Sequence, residues 1–321
     1  MFVAVSGSLP THSADGNYPF SHISYWARKL ASLGYDVVGT GEPGWTHQYR
    51  MVERFTQDMH GIEIGKTGHL FESYCTSRIL APENPDEAKE VVENEYLKKF
   101  LGGSERKLKA TITDPVTIGL QLISNDPSIL RRHADIFSEV TAAMNPMVER
   151  LGRIVDIVQF DCPTHLYRST KNPWTYVNQL SQNAGKKPIW LHLDGPSRKF
   201  FPDLLSEYDA DVLILNFFGS EEKENLEALR ENYSKISKHD KKIGASVINT
   251  QIPDEKTNLE SDQTILFRLK NLAKTLKEDI SLIETIMPGC GLNLLPNTSP
   301  YILELLPRIV TKLSWRFERD T

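Results

Sequence analysis

A histidine and a carboxylate follow a short apolar segment of the chain, where they could bind a metal or exchange protons. Ile189–Leu191 is bounded by Pro188 and Gly195 and is too short for a helix, so it predicts a buried strand. His192 and Asp194 follow this strand as a His-x-Asp pair. Such a pair supplies two metal ligands or an acid–base couple. The structural alternative is a hydrogen-bonded histidine beside a carboxylate that caps the next helix.

The three cysteines differ in their surroundings. Cys162 follows the apolar run Ile157–Phe160, and Cys290 lies in a glycine-containing turn with no apolar side chain beside it. We expect Cys290 to be exposed and functional, and either thiol could act as a nucleophile if its pKa were lowered. Cys75 lies in a predicted strand, where a small buried hydrophobic side chain is expected. Most of the other histidines, which fall in loops or on helices, are expected to be solvated.

Eight short apolar runs alternate with helical patterns along the chain. Most of these runs lack alternation of polar and apolar residues, which is typical of strands covered on both faces in a parallel sheet. Eight such strands in 321 residues predict a single (β/α)8 barrel domain over residues 1–321, with an open doubly wound sheet as the alternative. The predicted strands are Phe2–Val5, Asp36–Gly39, Leu108–Ile112, Ile157–Phe160, Ile189–Leu191, Val212–Leu215, Lys242–Val247 and Ile283–Met287.

Two insertions, residues 60–107 and the polar loop 248–262, and two apolar helix faces are predicted between the strands. Residues 60–107 predict an inserted hairpin and a charged helix, with an extra strand at His69–Tyr74. The last helix is predicted to begin at Ser299 and to be kinked at Pro307. Helical periodicity predicts one face made of Ala88, Val91, Val92, Tyr96 and Phe100, and a second made of Ile265, Leu266, Leu269, Leu272, Ala273 and Leu276.

Composition and charge exclude several function classes. The net charge of -5 and the pI near 6.0 leave no electrostatic footprint for nucleic acid. Three cysteines, an odd number spread along the chain, argue against a disulfide framework and favour a reducing compartment. No signal peptide or transmembrane segment is apparent, so we expect a cytoplasmic protein with no membrane partner.

Short polar motifs follow the predicted strands in a fixed order along the chain. Because the carboxyl ends of parallel barrel strands meet at one face, these motifs are expected to line one site. They are Ser6-Gly7-Ser8-Leu9-Pro10, Gly41-Glu42-Pro43, Thr113-Asp114-Pro115, Asp161-Cys162-Pro163, His192-Leu193-Asp194 and Cys290-Gly291-Leu292. In this order the motifs resemble those of the C-terminal catalytic barrel of cobalamin-independent methionine synthase.

The resemblance implies a methyltransferase that transfers a methyl group from a methylated pterin or folate, or from a corrinoid protein, to a homocysteine-like thiol to give methionine. It implies that Ser6, Gly7, Ser8, Glu42 and Asp161 bind the amino-acid thiol. It also implies a zinc site, since zinc in that family is held by histidine, two cysteines and a glutamate and binds the substrate as a thiolate.

The chain departs from the family at the implied zinc site. His192 and Cys290 match two ligands, whereas Asp194 replaces a cysteine and Asn216 replaces the glutamate. The resemblance therefore implies an altered site built on His192, Asp194 and Cys290, with Cys162 as a further catalytic or ligand candidate. Two alternatives stay open. One is a barrel enzyme of decarboxylase or lyase type that uses acid–base or cysteine chemistry without zinc. The other is a non-catalytic amino-acid-binding paralogue.

Overall fold

The computed structural model of the chain describes residues 1–5, 9, 20–40, 51–67, 70–133, 135–164, 167, 172–253, 255–290, 292 and 297–317. Within these residues the chain forms ten strands and eleven α-helices. The strands are β1 (Phe2–Val3), β2 (Val37–Gly39), β3 (His60–Thr67), β4 (Leu70–Leu80), β5 (Lys107–Thr113), β6 (Ile157–Pro163), β7 (Ile189–Asp194), β8 (Val212–Asn216), β9 (Lys242–Ile248) and β10 (Ile283–Pro288). The helices are α1 (Phe20–Leu33), α2 (Met51–Thr56), α3 (Lys89–Phe100), α4 (Pro115–Asn125), α5 (Ile129–Arg132), α6 (Ile136–Ile154), α7 (Pro173–Asn183), α8 (Phe201–Glu207), α9 (Glu222–Lys238), α10 (Asp262–Thr275) and α11 (Ser299–Phe317).

Eight of the strands form one parallel sheet that curls into a barrel. Their order is β1-β10-β9-β8-β7-β6-β5-β2, and a parallel bridge between Ala4 and Val37 joins the two ends of the sheet. Each of the eight predicted strands is present in this sheet, and helices connect successive strands. The prediction of a (β/α)8 barrel is confirmed.

Side chains alternate between the barrel interior and the helical layer. On β7, Trp190 packs with an interior cluster that includes Ile214 and Met287, whereas Leu191 and Leu193 belong to the core between strands and helices. This period of two places His192, like Trp190, inside the barrel. The face predicted for α10 is confirmed in its centre, since Ile265, Leu269 and Leu272 are buried there.

The inserted hairpin is present and lies outside the barrel sheet. β3 and β4 pair in antiparallel fashion, and α3 follows them before the chain enters β5. The predicted extra strand His69–Tyr74 coincides with the first part of β4, except for His69, which lies outside the described residues. α11 begins at the predicted Ser299 and continues past Pro307 to Phe317.

The face predicted for α3 is confirmed at Ala88 and Val91, which are buried, and at Tyr96 and Phe100, which pack against the core, but it is wrong at Val92. Val92 is 37% exposed, whereas Glu90 and Glu93 are buried together with Val91 and Leu97. The cause is Arg54 on α2, whose Nε donates to Glu90 Oε2 at 2.5 Å and whose Nη2 donates to Glu93 Oε2 at 2.6 Å. A buried ion pair thus turns the charged side of α3 inward.

None of the described helices combines the length and the apolar character needed to span a membrane.

Candidate metal centre at the carboxyl end of the barrel strands

Three side chains of metal-binding type converge where the barrel strands end. Asp161 ends the interior row of β6, His192 is its register partner on β7, and Cys290 follows β10 by two residues. His192 Nδ1 lies 3.3 Å from Asp161 Oδ1 and 3.3 Å from Cys290 Sγ, and His192 Nε2 lies 3.9 Å from the same sulfur. One ligand atom from each residue lies within 4.8 Å of the others. The structure thus brings together His192 and Cys290, two of the three residues that the sequence predicts as metal ligands.

Burial and charge set the protonation of this group. His192 is fully buried and Asp161 is 4% exposed. Burial acts to lower the pKa of His192, but the Cys290 sulfur and the Asp161 carboxylate outweigh it and raise that pKa well above its usual value. Burial raises the pKa of the Cys290 thiol to about 11, against the opposing effect of His192.

A series of hydrogen bonds inside the barrel holds the Asp161 carboxylate. Gln159 Nε2 donates to Asp161 Oδ1 at 2.6 Å, and Lys109 Nζ donates to Gln159 Oε1 at 2.5 Å and to the carbonyl of Val5 at 2.7 Å. Lys109 is 1% exposed and Gln159 is fully buried. The sequence analysis missed both residues. The sequence pattern that could have identified them is a polar residue at every second position of an otherwise apolar strand. In a closed barrel such side chains point into the interior rather than to solvent.

Asp194 lies beside the three-residue group without being part of it. Its Oδ1 accepts a hydrogen bond of 2.9 Å from Asn216 Nδ2, which also donates to Glu221 Oε2 at 3.0 Å. Burial and the negative charge of Asp194 raise the pKa of Glu221. The hydrogen bond from Asn216 partly offsets this increase. Among the described residues, Asp161 therefore occupies the place in the group that we predicted for Asp194. No sequence motif around Glu221 indicates that it lies near a site.

Cys162 lies on the opposite face of β6 from Asp161. It is fully buried in the core between the strands and the helices. Burial, reinforced by the charge of Asp114, raises the pKa of its thiol well above the usual value. The structure thus does not bring Cys162 into the group around His192, and the surroundings of its sulfur are those of a buried hydrophobic side chain.

The other predicted substrate-binding residues, Ser6, Gly7, Ser8 and Glu42, lie outside the described residues.

Comparison with known proteins finds similar structures but no similar sequences. No protein-family model matches the chain, and no curated protein sequence matches it. Dihydrodipicolinate synthase from Bacillus clausii aligns over 99% of this chain and 78% of its own, with 14% identity and a TM-score of 0.51. A putative alpha-L-fucosidase from Bacteroides thetaiotaomicron aligns over 95% of both chains, with 10% identity and a TM-score of 0.50. At these identities the likeness shows the barrel fold alone.

The predicted membership of the methionine synthase family is wrong. No family model supports it, and the similar structures include a dihydrodipicolinate synthase and a putative fucosidase. The strand-end motifs misled because glycine, proline and short polar residues end strands in barrels of many kinds. The methyl transfer to homocysteine that the resemblance implied loses its support with the family.

Proposed function

We propose that the chain is a barrel enzyme of lyase type whose active site is a zinc centre held by Asp161, His192 and Cys290. The observation that carries this proposal is the convergence of an oxygen, a nitrogen and a sulfur ligand atom within 4.8 Å at the carboxyl end of the strands. Active sites of (β/α)8 enzymes lie at that end, because the residues that follow several strands meet there.

The spacing of the three ligand atoms fits a tetrahedral zinc ion. Zinc bonds of about 2.1 Å to nitrogen and oxygen and about 2.3 Å to sulfur place nitrogen about 3.4 Å from oxygen and about 3.6 Å from sulfur. Both separations from His192 Nδ1 are 3.3 Å. One imidazole nitrogen carries at most one hydrogen, so it cannot donate to Asp161 and Cys290 at once. A shared cation is an arrangement that brings both atoms this close to Nδ1, and the sulfur would move away from Nε2, now 3.9 Å distant, on binding it.

The donor set also fits a catalytic centre. Catalytic zinc sites take three protein ligands and leave a fourth position open, whereas structural sites are closed by four. A bound zinc ion supplies Lewis acidity, which polarises a carbonyl oxygen or lowers the pKa of a coordinated water. Gln159 holds the Asp161 carboxylate in place, as the hydrogen-bond partners of ligating groups do in other metal sites.

The neighbouring polar residues suit acid–base chemistry on a small polar substrate. Burial raises the pKa of Glu221, which favours its protonated form, and Asn216 holds its carboxyl group beside Asp194. A protonated carboxyl group can donate its proton to a leaving group. The hydrogen bonds of Asn216 place Glu221 beside Asp194, which follows His192 by two residues on β7. A lyase needs this combination of an electrophilic centre and a nearby proton donor.

A second candidate is the same reaction class without a metal. It is favoured by the 3.3 Å separation of the buried His192 Nδ1 from Asp161 Oδ1, because a histidine held by a carboxylate can act as a general acid or base. In that case Asp161 orients the imidazole through Nδ1 and stabilises its positive charge.

Metal analysis of the purified chain separates the two candidates. We expect about one zinc ion per chain, lost in His192→Ala and in Cys290→Ala and retained in the control Cys162→Ala. A metal-free protein that takes up no added zinc would exclude the zinc centre and leave the acid–base version. Turnover of a panel of small hydroxy- and keto-acids tests the enzyme proposal itself. If no compound in the panel gives a turnover that His192→Ala abolishes, the lyase proposal fails.

A further inference from the structure

A second group of thiol, imidazole and carboxylate lies outside the barrel, where the inserted hairpin meets the helical layer. Cys75 of β4 places its sulfur 3.3 Å from His133 Nε2, and His133 Nδ1 lies 2.9 Å from Glu139 Oε2. His133 follows α5 and Glu139 lies in the first turn of α6. None of these residues belongs to the group around His192.

The connectivity of this second group is that of a nucleophile with its general base. An ionised carboxylate only accepts hydrogen bonds, so Glu139 fixes the hydrogen of the neutral imidazole on Nδ1. His133 Nε2 is then a bare acceptor facing the Cys75 thiol. Nucleophile, base and an orienting carboxylate in this order form the arrangement that activates serine and cysteine in hydrolases. The sulfur and the carboxylate lie on opposite sides of the ring, so they cannot chelate one metal ion.

The thiol lies just beneath the surface. Cys75 is 3% exposed, but the next three residues, 76–78, are exposed. Arg132 donates to the backbone carbonyl of Cys75 at 3.2 Å, which brings a positive charge close to the sulfur. The thiol hydrogen has a second acceptor in the carbonyl of Ser77 at 3.0 Å. Rotation of the S–H bond alone therefore exchanges one acceptor for the other.

We propose that Cys75 is a thiol modification site that reacts with small-molecule disulfides, with His133 as its general base and Glu139 as the residue that orients the imidazole. In the reaction the Cys75 sulfur attacks one sulfur of the disulfide and its proton passes to His133 Nε2. The S–S bond of the reagent breaks and a new S–S bond to Cys75 forms. The departing sulfur recovers the proton from His133 and leaves as a thiol. The disulfide is the only oxidant required.

A base is needed here because the thiol is neutral at rest. Burial raises the pKa of Cys75, against the opposing charge of Arg132, so few molecules carry a preformed thiolate. Reaction through His133 removes the proton only as the new bond forms. This distinguishes Cys75 from Cys162, which is fully buried and has no imidazole within hydrogen-bond distance among the described residues.

The reaction rate of the folded chain with 5,5′-dithiobis(2-nitrobenzoate) tests the proposal. Peptide mapping after partial reaction identifies which cysteine is modified, so no cysteine needs to be removed. We expect Cys75 to react before Cys162 and the rate at Cys75 to fall about 100-fold in His133→Gln, since general bases contribute about 10²-fold or more. His60→Gln is the matched control, because His60 lies on the same hairpin with a side chain 52% exposed.

The direction of the change separates a base from a structural contact. If the Cys75–His133 contact only attached the hairpin to α6, His133→Gln would loosen the hairpin and Cys75 would react faster. A rate that rises or stays unchanged in His133→Gln overturns the proposal, as does a folded chain in which Cys75 stays unmodified. Rates measured in denaturant should be equal in all variants, which confirms that the difference arises in the folded state.

Discussion

The barrel mouth and the inserted hairpin each contain a cysteine, a histidine and a carboxylate, but the three groups are connected differently. At the mouth, Asp161 and Cys290 both approach Nδ1 of His192. At the hairpin, Cys75 contacts Nε2 of His133 and the carboxylate lies on Nδ1. Ligands that converge on one side of a ring can share a cation, whereas ligands on opposite sides pass a proton through it. Residue types alone therefore do not decide which chemistry a site supports.

The backbone explains the difference. Asp161 and His192 are register partners on adjacent parallel strands, so both side chains point into the barrel at the same height. The hairpin group comes from an antiparallel strand, the end of a short helix and the first turn of another. These elements approach the imidazole from two sides. Parallel strand ends favour chelation, and a junction between separate elements favours a linear relay.

The largest expected effect concerns the metal. Zinc at a concentration about 1,000 times its dissociation constant should stabilise the native chain by about 4 kcal/mol, because only the folded state binds it. Chelation, or the substitution His192→Ala, should remove this stabilisation, measured as the zinc-dependent shift in urea unfolding. His133→Ala should leave the zinc-dependent shift intact. Equal losses in both variants would show that the two imidazoles do not differ in metal binding.

The second prediction concerns the ion pair that attaches the inserted helix α3. Arg54→Met removes the partner of the buried Glu90 and Glu93 carboxylates and should lower the free energy of unfolding by at least about 3 kcal/mol. Arg198→Met is the control, because its ion pairs with Glu227 and Glu231 are exposed and such pairs contribute little. Similar losses in the two variants would contradict the buried position of Arg54.

Much of the barrel was predictable from the sequence, and the hairpin group was not. Strands buried on both faces are apolar throughout, so a run such as Val212–Leu215 predicts a strand from its own residues alone. The Cys75–His133 contact joins residues 58 positions apart, and nothing near either residue signals it. The burial of two charged residues of α3 was missed for a related reason. Glu90 and Glu93 are expected to be exposed unless Arg54, more than 30 positions earlier, is known to pair with them.

The candidate site was predictable in part. His192 and Cys290 stood out because a histidine and a thiol follow predicted strands, where barrel sites form. Asp161 was assigned to a substrate instead, since its approach to His192 depends on the register of two strands that no local pattern specifies. Lys109 and Gln159 were missed, because a polar residue within a strand is usually taken for a solvent-facing one.

The third prediction tests whether the barrel interior supports the metal centre. Gln159→Leu removes the hydrogen bond to Asp161 and should weaken zinc binding about 10- to 100-fold, the range found when partners of metal ligands are changed. Titration with a competing chelator measures this change. Thr111→Val is the matched control, since Thr111 is the register partner of Gln159 and is also buried. Zinc affinity that is unchanged in Gln159→Leu would mean that Asp161 needs no support.

The smallest expected effect concerns the carboxylate of the hairpin group. Glu139→Gln keeps the shape of the side chain but replaces the ionised acceptor on His133 Nδ1, so the imidazole is oriented less firmly and becomes a weaker base. The rate of disulfide exchange at Cys75 should fall about 10-fold, less than on loss of the base itself. Stability should fall by about 1 kcal/mol, because the bond from Ile79 N to Glu139 Oε2 is weakened as well. The corresponding change at the barrel mouth, Asp161→Asn, should instead reduce zinc affinity and leave the Cys75 rate unchanged. If Glu139→Gln altered zinc binding, or Asp161→Asn altered the Cys75 rate, the two groups would have to be coupled through the helices between them.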